Sequence, residues 1–424
     1  MDKVKLIIAG ISKETKIIFS FFFVVFLFIS VFYLNNQILT PRGYRSKAAD
    51  RPPDTVHCLL SLDVDPLSFF IPAIMITKFG SAPSAGGWAS QNLFPRALAD
   101  VNNDGKADIV GFANNGVYVS LSGGTTLTIP GTVAFGTMAK WSTSFGSLPT
   151  AGSWKNQDIT PRTSADVNND GKSDIIGFGG LGVYVSLSSG TSFGAMTLWI
   201  KNFGSAPAAG SWASQNIYPR TSADVNGDGR SDIVGFAKLG VYVSLSTGTT
   251  FGPMTKWSTN FGTDAAAGGW ETFDKFPRTS ADVNGDGRAD IVGFGGAGVY
   301  VALAQGSASP GFGPIAQWSN NFGFNPSSGS WASFNQYPRY LKDINNDNKA
   351  DIVGFASNGV FVSLSTGTSF GPLVLISSKF GFSPPSGGWT TNDQFPRTVA
   401  DVNNDGKTDI VGFAGNGTMI SVQR

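Results

Sequence analysis

Charged residues are scarce in this chain: they make up 14% of its 424 residues, and the formal net charge is +1. Without an acidic or basic excess, the sequence offers no electrostatic footprint for nucleic acid. The single cysteine, Cys58, excludes an intrachain disulfide. The single histidine, His57, lies outside the repeated part of the chain, so no Ser/His/Asp set can be built there. We therefore expect a protein without enzymatic activity.

One long apolar run stands out near the start. Residues 17–34 read IIFSFFFVVFLFISVFYL, which is 18 residues without a charge and long enough for a short transmembrane helix. We interpret this run as an uncleaved signal anchor that follows a short tail, residues 1–16. The polar, proline-containing residues 35–54 then form a flexible stalk. A cleaved signal peptide is the alternative. The first interpretation gives a membrane-anchored protein and the second a secreted one, and both place the rest of the chain outside the cytoplasm.

Glycine and phenylalanine are abundant, with 54 and 34 residues, which suits short strands and tight turns better than helices. From residue 78 onward the sequence repeats itself. An acidic loop begins at six positions, 58 to 66 residues apart: Asp100, Asp166, Asp224, Asp282, Asp343 and Asp401. Each repeat contains four strand-like segments, which in the third copy are the residues after Pro-Arg, DIVGF, VYVSLS and MTKW.

Four short strands per unit, stacked radially, are typical of a β-propeller, and we assign residues 55–424 to this all-β fold. A linear β-solenoid is the competing interpretation, although its units are usually shorter. The last unit lacks a fourth strand, and residues 69–80 align with the segment that supplies this strand elsewhere. We therefore predict that residues near 71–79 pair with the last unit and close a ring of six four-stranded antiparallel blades. A degenerate seventh blade involving residues 56–62 is the alternative.

The acidic loops carry oxygen-bearing side chains at positions one, three, five and nine. Hard oxygen ligands spaced two residues apart on a turning chain are typical of a calcium loop, and glycine at position six permits the turn. Position seven is always basic, and we expect its carbonyl to face the metal and its side chain to face solvent. The predicted ligands, with position seven included, are Asp100, Asn102, Asp104, Lys106 and Asp108; Asp166, Asn168, Asp170, Lys172 and Asp174; Asp224, Asn226, Asp228, Arg230 and Asp232; Asp282, Asn284, Asp286, Arg288 and Asp290; Asp343, Asn345, Asp347, Lys349 and Asp351; and Asp401, Asn403, Asp405, Lys407 and Asp409.

Up to six structural Ca²⁺ ions follow from this pattern. The competing interpretation is a set of Asx-turns with solvated carboxylates. Catalysis by the metal is not expected, because all six loops look alike, whereas an active site normally breaks the symmetry of a repeat.

Two further repeated residues are candidates for ligand binding. Tryptophan follows Gly-Gly or Gly-Ser and would stack on a sugar ring or fill the wedge between blades. These residues are Trp88, Trp154, Trp212, Trp270, Trp331 and Trp389. Arginine follows proline and would donate to a ligand or pair with an aspartate. These residues are Arg96, Arg162, Arg220, Arg278, Arg339 and Arg397.

The order W, PR, DVNGDGRADIVGFG, GVYVSLS and FG resembles the FG-GAP or VCBS-type repeat of integrin α-chain propellers, and the longer unit is similar to fungal lectins of the Psathyrella velutina type. The resemblance covers about residues 69–424. It implies a calcium-stabilised propeller that binds sugars, N-acetylglucosamine among them, in pockets between blades. We therefore expect a lectin-like module with glycans or glycoproteins as partners. An integrin-like adhesion module with a protein ligand is the alternative.

Overall fold

The computed structural model describes residues 67–125, 130–306 and 310–424. These residues form six four-stranded antiparallel sheets, in each of which the strands meander from first to fourth. The predicted transmembrane anchor and stalk, and residues 56–62, lie outside the described residues. Within those described, no helix is long and apolar enough to cross a membrane.

We number the sheets as blades 1–6 in chain order. Blade 1 contains Arg96–Ala99, Asp108–Ala113, Gly116–Ser120 and Ala139–Ser142. Blade 2 contains Arg162–Ala165, Asp174–Phe178, Val183–Ser186 and Thr197–Ile200. Blade 3 contains Arg220–Ala223, Asp232–Ala237, Gly240–Ser244 and Thr255–Ser258. Blade 4 contains Arg278–Ala281, Asp290–Phe294, Val299–Ala302 and Ala316–Ser319. Blade 5 contains Arg339–Lys342, Asp351–Phe355, Val360–Ser363 and Val374–Ser377.

Blade 6 is built from both ends of the described chain. Its first three strands are Arg397–Ala400, Asp409–Phe413 and Thr418–Ser421, and its fourth is Ala73–Ile76. Ala73 lies opposite Ile420, and Ile76 lies opposite Thr418. The predicted ring closure is confirmed, and the ring has six blades rather than seven.

The first strands contact one another around the ring and are therefore innermost. The second strands are buried along nearly their whole length, because a neighbouring blade covers each face. The third strands alternate: Val241 and Val243 are fully buried, whereas Tyr242 between them is half-buried. The extra residues of the first repeat form a hairpin, Ser122–Thr125 with Val133–Phe135, in the predicted inter-strand connection.

A long connection leads from the fourth strand of each blade to the first strand of the next. Each connection contains one turn of 3-10 helix that ends in a left-handed glycine. These turns are Pro83–Ala85, Pro149–Ala151, Pro207–Ala209, Ala265–Ala267, Pro326–Ser328 and Pro384–Ser386. The connections carry the candidate tryptophans and end at the candidate arginines.

Candidate functional sites

The six candidate tryptophans lie in the wedges between blades. Their exposed fractions are only 3–6%. Trp212 contacts the ring of Phe203 with centroids 5.1 Å apart, and a Cβ on Gly235 of the second strand would lie 2.6 Å from the indole. The same contact with phenylalanine recurs in every blade at 4.9–5.3 Å. Each indole therefore packs against a glycine that leaves room for it. This arrangement agrees with the interpretation that the tryptophans fill the wedge between blades.

The six candidate arginines are also buried, with exposed fractions of 0–3%. Arg220 donates through Nη1 to the carbonyl oxygen of Phe203 at 3.0 Å, and its guanidinium lies over the ring of Phe178 in the preceding blade. Phe203 has a left-handed backbone, with φ of 60°, which a bulky residue rarely adopts. Burial lowers the pKa of Arg220 to about 9. The arginine thus holds a strained turn and joins two blades, and it does not pair with an aspartate as one interpretation had it.

A cavity of about 370 Å³ opens where the connection from blade 2 meets the outer part of blade 3. Trp212 and Tyr218 of the connection form part of its wall, together with Tyr242 of the third strand. Lys238 and Leu239, at the tip of the hairpin between the second and third strands, are exposed at its rim. Aromatic walls with a few polar groups at the edge are typical of a small-molecule site.

Tyr242 was not predicted as a site residue from the sequence, because its position is that of an ordinary half-buried strand residue. Its equivalents on the other third strands are Tyr118, Tyr184, Tyr300, Phe361 and Met419. The sequence did contain one signal for a site residue, which is variation at a repeated, half-buried position. Four blades have a tyrosine there and two do not.

In the acidic loops the first aspartate accepts hydrogen bonds from its own loop. The Asp224 Oδ1 accepts from the N–H of Gly227 at 2.7 Å, and Oδ2 accepts from the N–H of Gly229, also at 2.7 Å. The Oδ2 bond to the residue at position six is present in all six loops. The turn is therefore an Asx-type turn held by backbone donors.

The ninth aspartate is fully buried in every loop. Asp232 accepts from the N–H of Ser246 through Oδ1 at 2.7 Å and from the N–H of Val225 through Oδ2 at 3.1 Å. It thereby joins the end of the first strand to the start of the second and the end of the third. Burial raises the pKa of Asp232 to about 7, although both N–H bonds favour the charged form.

In five of the six loops the basic residue at position seven does not point to solvent as predicted. Its side chain forms an ion pair with the aspartate at position five of the same loop. The pairs are Lys106–Asp104, Lys172–Asp170, Arg230–Asp228, Arg288–Asp286 and Lys349–Asp347. In all six loops the asparagine at position three also turns its Nδ2 toward the same carboxylate.

These contacts decide how well the loops fit Ca²⁺. The donor set is all oxygen, as calcium prefers. As arranged, however, the loop is organised around its own basic side chain, and in the described part of the chain no three acidic, histidine or cysteine side chains converge on one point. In the five loops with an ion pair, a cation fits only if it displaces the basic side chain and the asparagine amide rotates; in the sixth loop the amide of Asn403 must rotate.

A third candidate site surrounds the axis of the ring, at the ends of the connections. Each connection contributes one asparagine or aspartate, whose Oδ1 accepts a hydrogen bond from a backbone N–H of the next connection at 2.7–3.1 Å. The donor is the equivalent asparagine or aspartate, except that Gln157, the residue before Asp158, donates to Asn92. Adjacent backbone bonds follow the same path. We call this closed ring of residues the axial belt: Asn92, Asp158, Asn216, Asp274, Asn335 and Asp393. It surrounds a cavity of about 330 Å³.

The fold and the repeat define a β-propeller of FG-GAP-like repeats, and residues 343–412 match the sequence model of that repeat. The chain is 37% identical to an Agrocybe aegerita lectin of known structure, over 81% of this chain and 80% of that one, with a TM-score of 0.61. The chain therefore belongs to the family of this fungal lectin, whose structure explains specific recognition of non-reducing terminal N-acetylglucosamine.

Other comparisons inform the fold alone. The Photorhabdus luminescens Tc holotoxin pore is similar with 16% identity and a TM-score of 0.54, over 85% of this chain and 15% of that one. No curated protein matches the sequence.

Proposed function

We propose that this protein is a carbohydrate-binding propeller without enzymatic activity, and that it recognises glycans ending in N-acetylglucosamine. The observation that carries the proposal is the 37% identity to a lectin over four-fifths of each chain. At that level of identity the similarity extends beyond the shared propeller architecture to the family.

The cavity beside Trp212 is the proposed sugar site. Its aromatic walls suit the apolar face of a sugar ring, and the Tyr242 hydroxyl and the Lys238 amine supply polar contacts at its edge. In this proposal Trp212 acts mainly by shaping the wall, because it is only 4% exposed, and Arg220 lies behind it as a structural residue. Equivalent positions in several blades would give avidity on a glycan-coated surface.

A pair of glycans that differ in one residue tests the proposal. Binding of the full chain is measured by calorimetry to a biantennary N-glycan ending in N-acetylglucosamine, and to the same glycan capped with galactose. We expect binding to the first and at least about a tenfold loss with the second, because a cap removes the non-reducing terminus. Equal binding of both glycans would contradict the specificity. Binding of a protein partner without any glycan would favour the integrin-like adhesion module instead.

We also propose that Ca²⁺ stabilises the six acidic loops, and that in five of them it replaces the basic side chain at position seven. The repeated oxygen donors support this, and an ion that binds only the folded chain raises its stability. Calorimetric melting in millimolar calcium should therefore exceed melting in EDTA, and Arg230→Gln should bind calcium more tightly at its loop because the competing cation is gone. Identical melting temperatures in both solutions would reject the role of calcium.

For the N-terminus we propose that residues 17–34 anchor the chain in a membrane with the propeller outside the cytoplasm. The uncharged run of 18 residues supports this. Mass spectrometry of the mature N-terminus decides between the two forms: retention of residues 1–34 in a membrane fraction supports an anchor, and a new N-terminus after residue 34 in the medium supports secretion.

A further inference from the structure

The axial cavity differs in chemistry from the cavity beside Trp212. Each blade contributes two residues to its lining, one from the axial belt and the residue before it. On one side the preceding residues are Phe273 and Phe334, whose rings lie 4.8 Å apart. In the other four blades they are amides: Gln91, Gln157, Gln215 and Asn392. The cavity therefore has an aromatic wall, a polar wall and a rim of amides and carboxylates.

Aspartate and asparagine alternate strictly around the axial belt. Because each Oδ1 accepts a hydrogen bond from a backbone N–H, the orientation of every asparagine amide is fixed. The other polar atom of the amide, Nδ2, is the left-over atom, which takes no part in the hydrogen bonds of the axial belt. In each aspartate, Oδ1 also accepts from a serine hydroxyl, as Asp274 does from Ser333 at 2.8 Å, and Oδ2 is left over. Within the described residues, none of these six left-over atoms has a hydrogen-bond partner.

The left-over atoms form an alternating series of three donors and three acceptors. An anion would be repelled by the three carboxylates. A metal ion or an ammonium group would be attracted by them, but it would also meet three N–H donors. A sugar hydroxyl both donates and accepts, so a polyhydroxylated ring matches the series. A volume of about 330 Å³ has room for one pyranose, and the two phenylalanines offer a surface for its C–H face.

We propose that the axial cavity is a second ligand site, separate from the cavities at the blade junctions, and that it binds a neutral saccharide ring. The proposal does not depend on recognition of N-acetylglucosamine at the other site.

The test uses the side-chain amides as reporters. The full chain, labelled with ¹⁵N-asparagine, is titrated to tens of millimolar with methyl α-glucoside, with N-acetylglucosamine and with putrescine. We expect at least one of the two saccharides to shift the Nδ2 signals of Asn92, Asn216 and Asn335, and putrescine to leave them unchanged. The cavity beside Trp212 has no asparagine in its lining, so these signals report on the axis. Shifts with putrescine alone would replace the proposal by a cation site, and no shift with either sugar would reject it.

Two variants make the assignment specific. The triple variant D158N/D274N/D393N keeps every Oδ1 acceptor, as the native asparagines of the axial belt do, but turns three acceptors into donors. We expect it to fold and to bind the saccharide at least about tenfold more weakly. Phe273→Gln with Phe334→Gln copies the residues of blades 1–3 and removes the aromatic wall, with a similar loss expected. Glu271→Gln is the control, since this exposed residue lies three positions before Asp274 and does not line the cavity.

Unchanged saccharide affinity in both multiple variants would overturn the proposal. The two sites fail separately: glycan binding by calorimetry without any shift at the axis rejects only the axial site. Axial shifts without binding of the N-acetylglucosamine-terminated glycan reject only the proposed function.

Discussion

In blades 1–3 the residue before the axial belt is a glutamine, whereas in blades 4–6 it is Phe273, Phe334 or Asn392. Gln215 accepts from the backbone N–H and from Nε of the buried Arg220, at 3.0 and 3.1 Å, and donates to the Arg220 carbonyl at 2.7 Å. In blades 4–6 the arginine Nε is buried with no partner among the described residues, whereas in blades 1–3 the unpartnered nitrogen is Nη2. In blades 4 and 6, Nη2 donates to a backbone carbonyl oxygen, from Arg278 to Ile217 and from Arg397 to Gln336. A buried N–H without an acceptor costs about 1–3 kcal/mol. The glutamine therefore changes which guanidinium nitrogen is left unpaired, and only Arg339 of blade 5 has two unpaired nitrogens. In blades 4 and 5 an aromatic wall on the axial cavity takes the place of the glutamine.

We call blades 1–3 and blades 4–6 the two halves of the ring. The largest expected effect concerns a feature that both halves share. Burial raises the pKa of all six ninth-position aspartates to about 7, well above the usual range for an aspartate. A raised pKa in the folded state means that the stability is present in full below the unfolded pKa and is lost as the pH rises through about 7. In EDTA we expect the free energy of unfolding to fall by up to about 2–3 kcal/mol per carboxyl between about pH 5 and about pH 8, because each pKa unit corresponds to about 1.4 kcal/mol.

Hydrogen exchange followed by mass spectrometry at several pH values locates this effect. Protection of the second strands should fall by similar amounts in blades 1–3 and in blades 4–6. A fall confined to one half would show that the two halves differ in more than the residue before the axial belt. No fall in either half would show that the two N–H bonds to each carboxylate outweigh its burial.

The next largest effect follows from making blade 3 resemble blade 4. Gln215→Phe leaves the Arg220 Nε and backbone N–H without their acceptor. We expect a loss of about 2–4 kcal/mol in the free energy of unfolding, measured by urea denaturation. A loss below about 1 kcal/mol would mean that the guanidinium finds another acceptor, and that the difference between the halves has little energetic consequence.

The fold was predictable from the sequence because it depends on a repeated local pattern. DIVGF and GVYVS recur with turn residues between them, and the missing fourth strand of the last repeat matches residues 71–79. The position-seven ion pairs were not predictable, since Lys106 and Asp104 read equally well as a solvent-facing residue and a metal ligand. The axial belt was missed because Asn92 and Asp158 lie in short polar stretches that look like ordinary loops. Only the closure of the ring places six such stretches side by side.

The reverse exchange has a smaller expected effect. Phe273→Gln with Phe334→Gln supplies acceptors to Arg278 and Arg339 but removes the contact between the two aromatic rings. These changes oppose each other, at about 1 kcal/mol for a hydrogen bond and about 0.5–1.5 kcal/mol for an aromatic pair. We expect urea denaturation to give a stability within about 1 kcal/mol of the native chain. A loss as large as that of Gln215→Phe would mean that the phenylalanines are there for packing and not for the axial cavity.

The smallest expected effect concerns the third strands, which differ between blades 1–4 and the last two blades. Blades 1–4 carry Tyr118, Tyr184, Tyr242 and Tyr300, whereas blades 5 and 6 carry Phe361 and Met419. If the Tyr242 hydroxyl contacts sugar, Tyr242→Phe should weaken binding of N-acetylglucosamine at that site about three- to tenfold, the value of one hydrogen bond, without changing the melting temperature. Phe361→Tyr is the matched change in the opposite direction, and it should strengthen binding at blade 5 by a similar factor. Calorimetry with a small N-acetylglucosamine glycoside measures both. Equal affinities in all three proteins would show that the sugar does not contact the third-strand aromatics, and that this difference between the blades has no part in recognition.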